Sequence, residues 1–310
     1  MRKRRKFYSG AINHVYQKSV NGWNLFYGDE DFLVFFTILS VCIRSSWAKL
    51  LMGCIMFNHF HLLIRTRTIQ ELSELMDRVT SWYVMEFNHS IGRKGKLLKK
   101  NFGSAPKWTE KSARSAMNYV GNNPVEKHIT QKAEEYRWNF LAFILTENPF
   151  SEKIKREKAS KAMRRALNEV DVAADMNIPL KHAQLRRIFR RLSETEIEQL
   201  IDYIIVLYMP FDKDELIEYY GSYEAMLTAM HSNTGSEHEI KEEWNPEADT
   251  GYLEMIEYIQ KKWPEKMVRS VIVLSNEEKA KLAIELKENT SASSRQIACF
   301  LHIETAEAGG

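Results

Sequence analysis

Met56-Phe57-Asn58-His59-Phe60-His61-Leu62-Leu63-Ile64 sets two histidines on either side of one bulky apolar residue inside a hydrophobic run. In a β-strand successive side chains point to opposite faces, so His59 and His61 project together while Phe60 and Leu62 project the other way. Two imidazoles at i and i+2 on one strand face can share one divalent metal ion. The same pattern also describes a strand whose solvent face happens to carry two histidines. Other passages must separate the two readings.

Working outward, residues 6–18 alternate in a strand-like way around Ala11, Ile12, Val15 and Tyr16. Asp29-Glu30-Asp31 puts acidic residues where a helix N-terminus favours them, and the apolar run 32–47 reads as a mostly buried helix. Residues 51–57 and 60–64 read as one bent strand or two short ones. A second helix begins at Thr68, with Leu72, Leu75, Met76, Val79, Trp82 and Tyr83 at helical spacing. The glycine-punctuated stretch 92–100 is a basic loop or hairpin, and 110–122 reads as a third helix with Pro124 just past its end. This order predicts an α+β fold, an antiparallel sheet with helices packed on one face, filling a first domain at 1–148.

Beyond Pro149 the character changes. Residues 153–170, 185–207, 214–230 and 251–262 read as helical and 232–250 as an acidic loop, so 149–270 is expected to be an all-helical extension. In 271–310, Ser275-Asn276-Glu277-Glu278 opens a helix and 293–303 resembles the first helix and turn of a helix-turn-helix unit. The short, acidic, glycine-ended tail that follows is a poor reader of a major groove.

Residues 1–150 hold 22 Lys and Arg against 12 Asp and Glu, whereas 151–310 hold 22 against 29. A basic half that also carries the histidine pair points to a polyanion partner, although solvated helix faces give the same count. Cys42, Cys54 and Cys299 form neither a CxxC pair nor a disulfide framework, which points to a reducing cytoplasm. The basic start Arg2-Lys3-Arg4-Arg5-Lys6 runs into Phe7-Tyr8-Ser9-Gly10, not into an apolar core, so it does not read as a signal peptide. The most apolar segment, 32–43, falls short of the about 20 residues that span a bilayer.

A second informative passage is Asn118-Tyr119-Val120-Gly121-Asn122-Asn123-Pro124. On a helix Tyr119 and Asn123 stand at i and i+4, on one face. Asn123 offers an amide oxygen suited to Mg²⁺ or Mn²⁺. Tyr119 offers a phenolic oxygen, a competent nucleophile for phosphorus when it is held in line and the phosphate charge is neutralised. Taken singly, the pair also reads as a core-edge tyrosine and a helix stop.

Together these passages resemble the HUH single-tyrosine transposases, and among them the REP-associated tyrosine transposases. Four ordered blocks carry the resemblance over about residues 5–130: His14 with Tyr16 in the opening strand, then 53–63 around the histidine pair, 95–102, and 119–125. Phe57 stands where the family commonly has proline. The resemblance implies a ferredoxin-like sheet, a Mg²⁺ or Mn²⁺ site made by His59, His61 and Asn123, and Tyr119 as nucleophile. Minimal members often carry Gln at the third ligand position, and the shorter Asn needs the helix closer to the sheet. It further implies cleavage of single-stranded DNA, usually beside an imperfect hairpin, through a 5′-phosphotyrosine intermediate that a 3′-OH can reverse without ATP.

Arg4, Arg5, Lys6, Arg93, Lys94, Lys96, Lys99, Lys100 and Lys127 are then the candidate DNA-backbone contacts, and Trp82, Tyr83, Phe102 and Trp108 candidate stacking partners for unpaired bases. The chain is expected to be a monomer or homodimer with no membrane segment. A non-catalytic hairpin-binding or repressor protein on the same fold is the alternative, and a replication-initiation or conjugative nickase a weaker one.

Overall fold

Residues 12–18 pair on both sides, so β1 (Ile12–Lys18) is the strand about which the sheet is laid out. The computed structural model describes residues 6–232 and 248–304. After β1 come α1 (Asp29–Arg44), β2 (Lys49–Met56), β3 (His59–Arg65), α2 (Ile69–Ser90), β4 (Gly103–Lys107) and α3 (Glu110–Glu126). Every strand pair is antiparallel and the spatial order is β2-β3-β1-β4. The fold is therefore α+β, a four-stranded antiparallel sheet in a mostly helical chain.

Local chemistry sets most boundaries. Thr68 caps α2 by accepting the Glu71 amide (3.1 Å), and Thr109 caps α3 reciprocally with Ser112. The stretch 51–64 resolves into two strands joined at Phe57-Asn58. The third helix does not stop at 122. It runs through Pro124 to Glu126, because a proline in the last turn removes only one intrahelical bond and later amides still find partners, as Ile129 does at the Pro124 carbonyl (2.9 Å).

Helices cover both faces of the sheet, not the one expected. Phe35 of α1 meets Phe60 of β3 with ring centroids 4.7 Å apart. Met52 of β2 pairs with Leu63, whose side chain points the opposite way from Phe60, and α3 approaches Met52 through Gly121.

The rest of the described chain forms α4 (Lys161–Asp175), α5 (His182–Phe189), α6 (Glu194–Tyr208), α7 (Lys213–Glu218), α8 (Tyr223–Ser232), α9 (Thr250–Lys262), α10 (Asn276–Asn289) and α11 (Ser294–Phe300). The region 153–170 becomes helical only at Lys161, where Ser160 provides the cap. Each of 185–207 and 214–230 divides in two, the first where Ser193 caps α6 and the second at Gly221, whose φ of +82° breaks the helix. The acidic loop lies largely in 233–247, outside the described residues, as does the tail 305–310. Among the described residues no helix is long and apolar enough to cross a membrane.

These helices share the core of the sheet. Buried apolar contacts run continuously from Ile12 to Leu301. A buried ion cluster ties four segments at the start of α1. Asp31 accepts from the Tyr27 amide (2.7 Å), from His182 Nε2 of α5 (2.9 Å) and from Arg269 (2.9 Å), which lies in the 3-10 turn Val268–Val273. Arg269 also reaches Glu30 (3.1 Å) and Ser90 at the end of α2 (3.2 Å). Burial works against the Asp31 carboxylate, but Arg269 and His182 outweigh it and hold its pKa below the ordinary value. Arg269→Met leaves this carboxylate buried without its cation and is expected to lower unfolding free energy by about 3–5 kcal/mol. Arg269→Met combined with Asp31→Asn should recover part of that loss in urea unfolding; a single-variant effect below about 1 kcal/mol would show that the cluster contributes little.

The C-terminal helix is held as firmly. Tyr27 Oη donates to the Phe300 carbonyl (2.7 Å), and His302 donates from Nε2 to the Asn24 carbonyl (2.9 Å) while its ring stacks 4.6 Å from Trp23. Burial pushes the His302 pKa down to about 3. In the unfolded chain the ring takes up a proton near 6.5, whereas the folded chain excludes it until about 3. The stability His302 contributes is therefore complete above pH 6.5 and is lost as pH falls through that window, by roughly 1.4 kcal/mol per pH unit. His302→Gln removes the titration, so its thermal midpoint should fall less between pH 6.5 and 4 than the parent's; parallel curves would refute the assignment.

Candidate functional site

The register of β1 on β3 assembles the site. Tyr16 stands opposite His61, Lys18 opposite His59 and His14 opposite Leu63. Since directly opposed residues share a face, His14, Tyr16, His59 and His61 all project from the same side of the sheet. Cys54 of β2 opposes His61 from the other flank, and burial pushes its thiol pKa up. On the edge strand β4, Gly103 faces Tyr16, and a Cβ at that position would collide with the Tyr16 ring. The missing side chain is what leaves room for the phenol ring.

Hydrogen bonds orient both histidines. Asn58 Nδ2 donates to the Gly22 carbonyl (3.4 Å), which turns Asn58 Oδ1 toward His59 Nδ1 at 2.6 Å. A carbonyl oxygen only accepts, so Nδ1 carries the proton and Nε2 carries the lone pair of the neutral ring. His61 Nδ1 lies 2.9 Å from His14 Nε2, and both residues are fully buried. One proton bridges these two nitrogens. When it sits on His61 Nδ1, His61 Nε2 is the lone-pair nitrogen, as in histidines that ligate metals while donating through the other nitrogen. The two ring centroids of the His59–His61 pair are 5.0 Å apart.

α3 lies over this face and delivers Tyr119, whose ring centroid is 5.5 Å from His61 and 5.7 Å from His14. Asn123 sits one turn further along the same helix face. It is 4% exposed, and its Oδ1 has no hydrogen-bond partner among the described residues. A buried amide oxygen in that state carries a desolvation penalty that a cation would relieve. Among the described residues no group of three or more His, Cys, Asp or Glu is placed to hold a metal ion. A metal held by His59 and His61 would therefore have to draw on an amide or on other oxygens.

The other candidate residues separate into groups. Arg4 and Arg5 lie outside the described residues, and Lys6 is exposed. Lys94, Lys96, Lys99 and Lys100 are exposed on the loop between α2 and β4, which is stitched to the His59 end of β1 by Lys99 N to Lys18 O (3.0 Å) and Gln17 Nε2 to Lys99 O (2.8 Å). Arg93 spends its guanidinium tying the loop to the end of α2, donating to Asn88 Oδ1 (2.8 Å) and to the Lys96 carbonyl (2.8 Å). Lys127 is half-buried just past α3. Of the aromatics, Tyr83 is buried and donates to the Leu25 carbonyl (2.7 Å), Phe102 is buried and Trp82 packs on the core. Trp108 is 72% exposed and stacks on Tyr8 at 5.7 Å.

Asn58, Gly103 and the pairing of His14 with His61 carry no separate mark in the sequence. The i, i+2 spacing of His14 and Tyr16 matches that of His59 and His61, and it is the one signal that points to their shared face.

No protein-family model matches the chain, and no curated protein matches it. A solved structure of a REP-associated tyrosine transposase bound to a REP hairpin matches at 14% identity, with a TM-score of 0.40, over 47% of this chain and 85% of that one. The likeness is distant.

The orphaned Asn123 oxygen generates a direct test. Asn123→Leu, close in size and without the unmet acceptor, should raise unfolding free energy by about 1 kcal/mol in metal-free buffer. Added Mn²⁺ should raise the melting temperature of the parent and leave that of Asn123→Leu unmoved. A parent chain indifferent to Mn²⁺ would remove Asn123 from any ligand role.

Proposed function

We propose that the chain is a metal-dependent nuclease and strand transferase for single-stranded DNA, a transposase-type enzyme that acts through Tyr119. The observation that carries this reading is the placement of the Tyr119 ring beside His61, on a helix laid over the sheet face that bears His59 and His61. Support for a ferredoxin-like sheet comes from the β-α-β-β-α-β order with β1 between β3 and β4. His59, His61 and Asn123 are the residues that would hold Mg²⁺ or Mn²⁺. Once bound, such an ion supplies charge neutralisation on the scissile phosphate.

The chain's own groups do the rest. His14 orients His61 through the bridging proton, and Asn58 orients His59. Tyr119 Oη gives up its proton and bonds to phosphorus as the bond from phosphorus to the 3′-oxygen breaks; the departing oxygen takes up a proton, so the products are a 5′-phosphotyrosine and a free 3′-OH. Attack by a 3′-OH on that ester reverses the step, which rejoins DNA without an energy source. The exposed lysines at 94, 96, 99 and 100 lie at the His59 end of β1, where they can follow a DNA backbone. Trp108 and Tyr8 offer an exposed stack to an unpaired base, in keeping with a hairpin that has a single-stranded flank. None of Cys42, Cys54 and Cys299 is in a disulfide, which fits a cytoplasmic protein.

Incubation with a single-stranded hairpin oligonucleotide and Mn²⁺ should give a covalent protein–DNA adduct that survives denaturing electrophoresis. Tyr119→Phe should abolish the adduct, and His59→Ala with His61→Ala should abolish divalent-dependent cleavage. Hairpin binding with no adduct from the parent chain would favour the non-catalytic binding protein instead.

A further inference from the structure

α3 is wedged between the sheet and the C-terminal helices. Met52 of β2 and Met230 of α8 both close on α3 at the same residue, Gly121. A Cβ there would lie 2.8 Å from Met230 Sδ and 3.1 Å from Met52 Cε, so the close approach depends on glycine. Two buried amides then fix how α3 is rotated about its own axis. Asn118 accepts from Tyr220 Oη (2.8 Å), and Asn122 donates from Nδ2 to the Met230 carbonyl (2.6 Å). Tyr220 reaches the Arg114 carbonyl as well (3.3 Å).

Asn118 and Asn122 form one i, i+4 stripe, and Tyr119 and Asn123 form the adjacent one. A helix turns by about 100° per residue, so a rotation that released the first stripe would swing the second away from the histidines. Polar contacts of this kind specify a single rotational setting, which apolar packing alone does weakly.

The clamp is itself anchored to the strands that carry the site. Lys49 of β2 pairs with Asp212 (3.1 Å), Asp212 N donates to the Leu50 carbonyl (2.9 Å), and Arg65 of β3 engages Glu215 and the Tyr219 hydroxyl (3.3 Å). Sheet, clamp and α3 thus close a loop of contacts within one chain.

We propose that residues 212–232 are a positioning clamp for Tyr119: they set the rotation and depth of α3 so that the tyrosine serves the histidine pair of its own chain. The proposal rests on the reading of Tyr119 as nucleophile. It assigns a role to part of the helical extension, with Tyr220, Asn118, Asn122 and Gly121 as positioning residues.

Two experiments test it with the full-length protein. First, Tyr119→Phe chains are co-expressed with chains carrying His59→Ala and His61→Ala, each inactive alone. Positioning within one chain predicts no adduct from the mixture, whereas restored adduct formation means that the tyrosine reaches a partner's histidines and overturns the proposal. Second, Tyr220→Phe removes one hydroxyl and keeps the ring. The rate of adduct formation should drop about five- to tenfold with hairpin affinity unchanged, and amide hydrogen exchange across 115–124 should speed up. Parental rate and parental exchange in both Tyr220→Phe and Asn122→Ala would overturn the clamp. If the parent forms no adduct, the nuclease reading fails by itself, and the exchange measurement still decides whether these residues hold α3.

Discussion

Everything chemical in this molecule depends on the register between β1 and β3. Pairing Tyr16 with His61 puts four candidate groups on one face and sends Val15, Phe60 and Leu62 into the core on the other. A slip of one residue would exchange the two sets, turning the imidazoles toward the phenylalanines of α1 and Phe60 and Leu62 toward α3, so the packing that stabilises the sheet also enforces the site. β1 has no freedom to drift, since it is paired on both sides and Gln17 is further tied to the Lys99 carbonyl.

α3 shows the opposite balance between local preference and tertiary demand. Its second half contains Asn118, Gly121, Asn122, Asn123 and Pro124, none of which favours a helix interior. The first four have a use that the fold supplies. Gly121 allows the approach to Met52 and Met230, Asn118 and Asn122 lock the rotation, and Asn123 holds its oxygen buried without a hydrogen-bond partner among the described residues. A segment that violates local rules while surrounded by well-made contacts is where function is expected to sit, because packing elsewhere offsets the loss.

That contrast explains what could be read from the chain alone. The His59-Phe60-His61 strand, the second strand beside it, the caps at Thr68 and Ser275 and the Tyr119–Asn123 spacing are all local patterns of period 2 or 3.6, and they were legible. The use of both sheet faces was not legible, because Met52 and Phe60 are equally apolar and nothing local says which helix each will meet. The course of α3 past residue 122 was hidden for a similar reason. Proline reads as a stop unless later contacts, such as Asp249 N to the Lys127 carbonyl (2.8 Å), hold the segment in place. The pairing of His14 with His61 spans 47 residues and follows only from strand order.

The composition change near Pro149 comes well after the last strand, β4, and does not mark the end of the packing. α1 is buried on one side by the sheet and on the other by the later helices, where Ser40 bonds to the Tyr208 carbonyl and Thr37 accepts from the Leu180 amide (3.1 Å). Phe36 stacks on Phe140 at 4.5 Å, and Asp31 has two of its partners in His182 and Arg269. A helix that is apolar all round needs cover all round. α1 follows β1 directly in the sequence and packs against β3, so the cover the extension gives to α1 bears on the same strands that align His14, Tyr16, His59 and His61. Geometry at the site is in this way coupled to helices as far along the chain as α11, whose end returns to Asn24 and Tyr27 beside the first turn of α1.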